Sequence, residues 1–219
     1  MIFQQDEYFK EYNCSIENAI KHDIFDLCSA VSKFYDEVNI NKFTVILGNE
    51  DRLDVTITND SNRVTNKLGE IETSLGTAII TNTKINKVDY SDIPIVFIKG
   101  NQKFQQLITY LRSIAQTFIP KGYDVGTHKG SMYIIFNKDF IGKLWNIHTD
   151  AFPTKAHLTL TECEEEFVWY KQDNVIVEQL KNNKFYMFNV RVPHTVNINK
   201  YINTSPRIHV VYDINQLDQ

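Results

Sequence analysis

His148 and Asp150, in Ile147-His148-Thr149-Asp150, and His194, in Val192-Pro193-His194, are side chains of the types that hold a transition metal. Two imidazoles and one carboxylate can cap one face of an octahedral Fe(II), leaving the opposite face open to a co-substrate and to O₂. Arg207, thirteen residues beyond His194, supplies a fixed cation on which a dicarboxylate could be anchored. In this order along the chain, the four residues suggest 2-oxoglutarate-dependent oxygenase chemistry. Singly, each has an ordinary explanation: HxD is common by chance, a histidine after proline is a frequent turn residue, and an arginine is most often ion-paired or solvated. It is the ordered set, on segments of strand character, that points to a site.

The elements must then bring these side chains together. In an extended backbone, residues two apart point to one face, so a strand over 143–148 running on to Asp150 would aim His148, Asp150 and Asn146 at one metal. His194 has to arrive from a different strand, and Pro193 before it favours a strand start or an edge. In Lys155-Ala156-His157-Leu158-Thr159-Leu160 the polar residues Lys155, His157 and Thr159 share a face opposite Ala156, Leu158 and Leu160. Arg207 and His209 likewise share one face against Ile208, Val210 and Tyr212. A barrel with a polar interior and an apolar outer layer produces this alternation. The interval from His194 to Arg207 reads as one tight connection to a neighbouring strand. The acidic run Glu162-Cys163-Glu164-Glu165-Glu166 reads as a solvated turn whose first carboxylate could reach a site rim.

Upstream, apolar residues recur at helical spacing from Ser15, a candidate N-cap, to about Val38, and again from Gln102 to Ile119 before Pro120. Segments 43–47, 53–58 and 93–99 have strand character, and 60–92 reads as an irregular insertion, a candidate lid. Beyond Gly130, short segments rich in β-branched and aromatic residues cluster at 132–136, 143–148, 155–161, 167–170, 185–190 and 208–214. The expectation is an α+β chain with a double-stranded β-helix (jelly-roll or cupin-like) core and helices packed on one side. Its parts would be an N-terminal α/β elaboration over 1–120 and a double-stranded β-helix catalytic core over 121–219. His22, within the first helix, is expected to be exposed, and His128 to lie in a loop.

Composition limits the partners. At 219 residues with 42% hydrophobic content, the chain can bury a core without disulfides or a structural metal. A net charge of −4 gives no footprint for nucleic acid. No apolar run approaches a membrane span, and the acidic start at Asp6-Glu7 is unlike a signal peptide. Three scattered cysteines, Cys14, Cys28 and Cys163, form no CxxC and read as reduced thiols. A soluble, cytoplasmic protein acting on a small molecule or a peptide is the expectation; nothing in the sequence speaks to its oligomeric state.

Met132 to Asn215 resembles the aspartyl/asparaginyl β-hydroxylase family, which includes bacterial proline hydroxylases. The resemblance rests on Ile147-His148-Thr149-Asp150, on Lys155-Ala156-His157-Leu158, on the run from Phe188 to Asn197, and on Pro206-Arg207-Ile208-His209-Val210-Val211-Tyr212-Asp213. It implies Fe(II) with 2-oxoglutarate as co-substrate and O₂ as oxidant. His148, Asp150 and His194 would be the catalytic iron ligands. Arg207, with His209 beside it, would pair with the distal carboxylate of 2-oxoglutarate, and His157 would help hold the carboxylate nearer the metal. Lys155 stands where the family commonly has arginine, and lysine cannot make the same planar fork. Retention of Asp150 leans the resemblance toward amino-acid hydroxylases and argues against halogenation. The implied reaction hydroxylates an unactivated C–H of an amino acid, free or in a peptide, while 2-oxoglutarate is decarboxylated to succinate. Two other readings compete: a non-catalytic β-barrel kept as a binding or assembly module, and a cupin-type metal enzyme that does not use 2-oxoglutarate.

Overall fold

A computed structural model describes residues 2–35, 42–47, 69–81, 84–85, 88–89, 95–100, 102–125, 132–172, 174–202 and 205–217. Strand β1 (Phe9–Asn13) precedes helix α1 (Asn18–Tyr35). Next come β2 (Lys42–Ile46), β3 (Gly69–Thr73), β4 (Gly76–Thr81), the short pair β5 (Lys84–Ile85) and β6 (Val88–Asp89), β7 (Ile95–Gly100) and helix α2 (Gln102–Phe118). The second half is all strand: β8 (Tyr123–Val125), β9 (Met132–Asn137), β10 (Gly142–Lys143), β11 (Thr154–Thr159), β12 (Cys163–Lys171), β13 (Asn174–Gln179), β14 (Lys184–Asn189), β15 (His194–Tyr201) and β16 (Arg207–Gln216).

Strands β9 to β16 form an eight-stranded double-stranded β-helix. The chain alternates between a large sheet, in which β14, β11, β16 and β9 are neighbours, and a small sheet ordered β10-β15-β12-β13. Only the β12–β13 hairpin stays within one sheet, and every pairing in the eight is antiparallel. This is the jelly-roll arrangement expected from the density of short strands. The large sheet is extended on one side by β1, which pairs with β14, and on the other by β2, β7, β4 and β3.

The alternation along the strands separates two cores. Ala156, Leu158 and Leu160 from the β11 segment, Ile208, Val210 and Tyr212 from β16, and Met132, Ile134 and Phe136 from β9 face outward. They pack against Ile24, Leu27 and Val31 of α1 and Phe104, Leu107, Ile108 and Leu111 of α2, residues at helical intervals. Both helices therefore cover the same face of the large sheet, as expected. Tyr212 Oη donates to the Leu111 carbonyl at 3.2 Å, tying α2 to the central strand. Between the sheets lies a second, aromatic core of Phe167, Trp169, Tyr186 and Phe188 with Leu144, Val196 and Ile198.

Five expectations need correction. The strand expected over 143–148 is only the two residues of β10; the chain then leaves the sheet and returns as a single bridge at His148. Of the acidic run 162–166, all but Glu162 belongs to β12 and not to a turn, because the two-residue period of Phe167 and Trp169 continues back through Glu165 and Cys163. Strands β15 and β16 lie in different sheets, so the interval from His194 to Arg207 carries the chain across the barrel and is no tight turn within a sheet. Helix α1 starts at Asn18, three residues past Ser15, and the Glu17 N–H is satisfied by Tyr110 Oη at 3.0 Å. Of the insertion expected over 60–92, residues 69–81 form the β3–β4 hairpin, joined to the large sheet through β7. Segment 53–58 and His128 lie outside the described residues. Among the described residues no helix is long and apolar enough to cross a membrane.

Candidate metal centre

His148 and His194 are directly opposed in a one-residue antiparallel bridge. The His148 N–H donates to the His194 carbonyl at 3.1 Å and the His194 N–H to the His148 carbonyl at 2.9 Å. Opposed residues in such a pair send their side chains to the same face, and the two imidazole centroids lie 4.6 Å apart. Asp150 follows in a loop whose backbone is fixed by its own N–H donating to the Val190 carbonyl at 3.0 Å. The bridge and the loop replace the expected continuous strand, yet they bring the same three side chains together. One donor atom from each of His148, Asp150 and His194 lies within 4.8 Å of the others.

The protonation of both rings is set by the backbone. His148 Nδ1 lies 2.7 Å from the Asn146 carbonyl and His194 Nδ1 lies 2.9 Å from the Val192 carbonyl. A carbonyl only accepts, so each Nδ1 carries the proton and each Nε2 keeps a free lone pair in the neutral ring. Both Nε2 atoms face Asp150, at 3.6 Å from one carboxylate oxygen each. Two neutral imidazoles with fixed tautomers and one carboxylate fit a divalent first-row ion, with an outer shell that orients the ligands. Side-chain exposure falls from 39% at His148 through 16% at Asp150 to 4% at His194, so the site opens to solvent on the His148 side.

Lys155, on the inward face of β11, places its Nζ 3.0 Å from Asp150 Oδ2, 3.8 Å from Asp213 Oδ1 and 5.8 Å from the centre of the Tyr133 ring. Burial opposes the Asp150 carboxylate, but the Lys155 ammonium beside it helps hold its pKa below the usual range. Burial likewise opposes the Lys155 ammonium and is outweighed by Tyr133, Asp150 and Asp213, so it stays charged. The Asp213 carboxyl is pushed up to about 6 by burial, against the pull of Lys155. Tyr133 carries no motif, and Asp213 closes the run Pro206–Asp213 with no role attached to it there. Their signal was the strand register, in which Lys155 lies opposite Asp213 on β16.

Arg207 and His209 share the inward face of β16, as predicted, but they are already engaged. Arg207 Nε donates to Glu165, Nη1 to Asn137 Oδ1 at 3.1 Å and Nη2 to His209 Nδ1 at 3.0 Å. His209 Nε2 then carries its proton toward Glu165 Oε1, 2.7 Å away. Burial raises the Glu165 pKa, but the charge of Arg207, with the Arg207 and His209 N–H groups aimed at the carboxylate, outweighs it and holds Glu165 well below its ordinary value. Burial first, and Arg207 with it, keep His157 and His209 below the ordinary imidazole value. His157 sits between the clusters, edge-on to Phe188 at 5.0 Å and 5.6 Å from the His209 ring. Phe167 stacks on His194 at 5.1 Å and on Phe188 at 4.1 Å. Glu165 is the residue that reading the sequence misses, and the period-two pattern of β12 would have found it.

No protein-family model matches the sequence. No curated protein matches it either. Among solved structures it is similar to a 2OG-Fe(II) oxygenase family oxidoreductase from Burkholderia pseudomallei, at 11% identity over 69% of this chain and 76% of that one, TM-score 0.40. It is also similar to a Trichoplax adhaerens prolyl hydroxylase in complex with a hypoxia-inducible-factor peptide, at 13% identity over 95% and 84%, TM-score 0.44. A third is a Pseudomonas putida prolyl-4-hydroxylase, at 9% identity over 97% and 95%, TM-score 0.41. All three TM-scores lie below 0.5, and none of these likenesses bears on what this chain does.

Proposed function

We propose that this chain is an Fe(II)- and 2-oxoglutarate-dependent dioxygenase that hydroxylates an unactivated C–H of an amino acid, free or within a peptide. The observation that carries the reading is the donor set: His148 and His194 present Nε2 lone pairs to one side of Asp150, with both Nδ1 protons tied to carbonyls. Three protein ligands on one face leave room for a bidentate co-substrate and O₂. A bound Fe(II) would supply oxidative decarboxylation of the co-substrate to succinate, coupled to oxidation of the substrate C–H. The residues of the chain orient the ligands, exclude water through Phe167 and Phe188, and offer two cations for carboxylates, Lys155 beside the triad and Arg207 deeper in. Three buried, unpaired cysteines suit a reducing, cytoplasmic setting.

Purified protein with Fe(II) and 2-oxoglutarate, screened for succinate across free amino acids, short peptides and cell lysate, should show turnover with a subset of them. Asp150→Ala and His194→Ala should each abolish both Fe(II) binding and succinate formation. No turnover with any substrate, together with no Fe(II) binding by the intact triad, would sink the proposal. One observation favours a second reading: the deeper cation, Arg207, is already paired with the buried Glu165 and also donates to Asn137 and His209. A protein that keeps the barrel as a binding or assembly module would show it too. Anaerobic Fe(II) with 2-oxoglutarate gives a weak visible charge-transfer band in a working site, and its absence would favour that reading.

A further inference from the structure

Resting on the reading of His148, Asp150 and His194 as a metal triad, we propose that Lys155 is an internal cation that contends with the metal for Asp150, and that Asp213 is the second seat to which a bound ion sends it. Lys155 on β11 and Asp213 on β16 are opposed in the antiparallel register, so both side chains rise from one face of the large sheet. The Lys155 ammonium lies 3.0 Å from Asp150 Oδ2 and 3.8 Å from Asp213 Oδ1, bonded to the first carboxylate and a short step from the second. Asp150 Oδ2 is also the oxygen that faces His194 Nε2, at 3.6 Å. An ion held between that ring and that carboxylate draws on the oxygen the ammonium already holds.

Asp213 supplies the other half of the exchange. It is 6% exposed, and among the described residues its Oδ1 has no hydrogen-bond partner. A buried acceptor left without a donor is costly, and 3.8 Å is beyond hydrogen-bond range. A small turn of the Lys155 stem closes that gap. Two cations drawn to one carboxylate also repel each other. An ion on Asp150 thus takes the ammonium's partner away and drives it toward an acceptor in need of a donor. Lysine suits the role, because a point charge on a flexible stem moves between two seats without a planar fork to align. Metal affinity is then set by an exchange of partners inside the site: the ion breaks one ion pair, and formation of a second offsets that cost.

The full chain, stripped of metal by chelation, is titrated with Mn(II), and the dissociation constant is read by calorimetry for the wild type, Lys155→Met, Asp213→Asn and the two changes together. Lys155→Met should bind Mn(II) roughly tenfold more tightly, the scale of one charge-assisted bond that no longer has to be displaced. Removing a lysine that only braces the fold would not tighten it. Asp213→Asn should bind roughly fivefold more weakly, because the displaced ammonium loses its charged seat. The double change should bind as tightly as Lys155→Met: without the ammonium, burial and the Asp150 charge both favour a neutral Asp213 carboxyl, which asparagine matches. A double change that binds as the wild type does means two charges acting on the ion independently, and it overturns the proposal. Unchanged or weaker binding in Lys155→Met overturns it as well. If Lys155→Met does not fold, a crystal structure of the wild type with Mn(II) decides: the ammonium bonded to Asp213 Oδ1 supports the exchange, and the ammonium still on Asp150 refutes it. Wild-type protein that binds no Mn(II) marks a different failure, that of the triad, and takes the exchange with it.

Discussion

Glu165 faces Arg207 and His209 with almost none of its surface in contact with water, so neither partner can be removed without stranding the other. Glu165→Gln alone should lower unfolding free energy by about 3–5 kcal/mol, the scale of breaking a buried ion pair from one side. The double change Glu165→Gln with Arg207→Met should recover most of that loss, because no lone charge is left and the glutamine still accepts from His209. Denaturant unfolding of the two variants checks both statements, and equal destabilisation in both would contradict the account of the cluster. At this scale the candidate metal ligands were legible in the sequence because His148, Asp150 and His194 are uncommon types in a recognisable order. Glu165 was not. Four acidic residues in five read as a solvated face, although the two-residue period back from Trp169 through Phe167 falls on Glu165, and the pairing of β12 with β15, placing Trp169 opposite His194, bears that out.

The strands carrying His157 and His209, β11 and β16, are paired, and their histidines face the same interior. Both imidazoles have folded-state pKa values below the unfolded value of 6.5, burial being the first cause. The unfolded chain therefore takes up protons that the fold refuses. This stability is complete above pH 6.5 and is lost as pH falls from there toward the depressed folded values. Asp213 acts with the opposite sign. Its pKa is raised from 3.8 to about 6, which favours the fold as pH falls through that window but only for a single group. Unfolding free energy measured at successive pH values should begin to fall near pH 6.5, by up to about 1.4 kcal/mol per pH unit for each imidazole. A flat profile between pH 7.5 and 5.5 would contradict the buried neutral pair. These strands were the legible part of the fold, since their polar and apolar faces alternate cleanly. The stretch after β10 was not legible: Leu144, Trp145 and Ile147 look like strand but serve an irregular loop. There Leu144 N–H reaches the Val196 carbonyl at 2.8 Å, and the Trp145 carbonyl accepts from Thr195 Oγ1 at 2.6 Å. Gly142 opens this stretch at φ 116°, a conformation that a Cβ strains even where nothing crowds it. Gly142→Ala should cost more than about 1 kcal/mol of stability, read from the same denaturation experiment.

At the scale of the molecule, two helices and a small sheet clamp one large sheet from opposite sides, and the metal centre lies at the rim of the inner space. An ion that binds only the folded form raises its stability by mass action. Fe(II) or Mn(II) at about a hundred times its dissociation constant should add roughly 2.7 kcal/mol and raise the melting temperature accordingly. Asp150→Ala should show no such rise, and an equal rise in that variant would place the bound ion elsewhere. The bridge between His148 and His194 has one more consequence. Two main-chain hydrogen bonds set the spacing of the imidazoles, and neither uses a ring nitrogen that an ion would need. The centre behaves as a socket rather than a clasp. An ion bound there would be taken up, given away and replaced within the lifetime of one folded molecule, so the metal it held would reflect what its surroundings supply at that moment and not what was present when the chain folded.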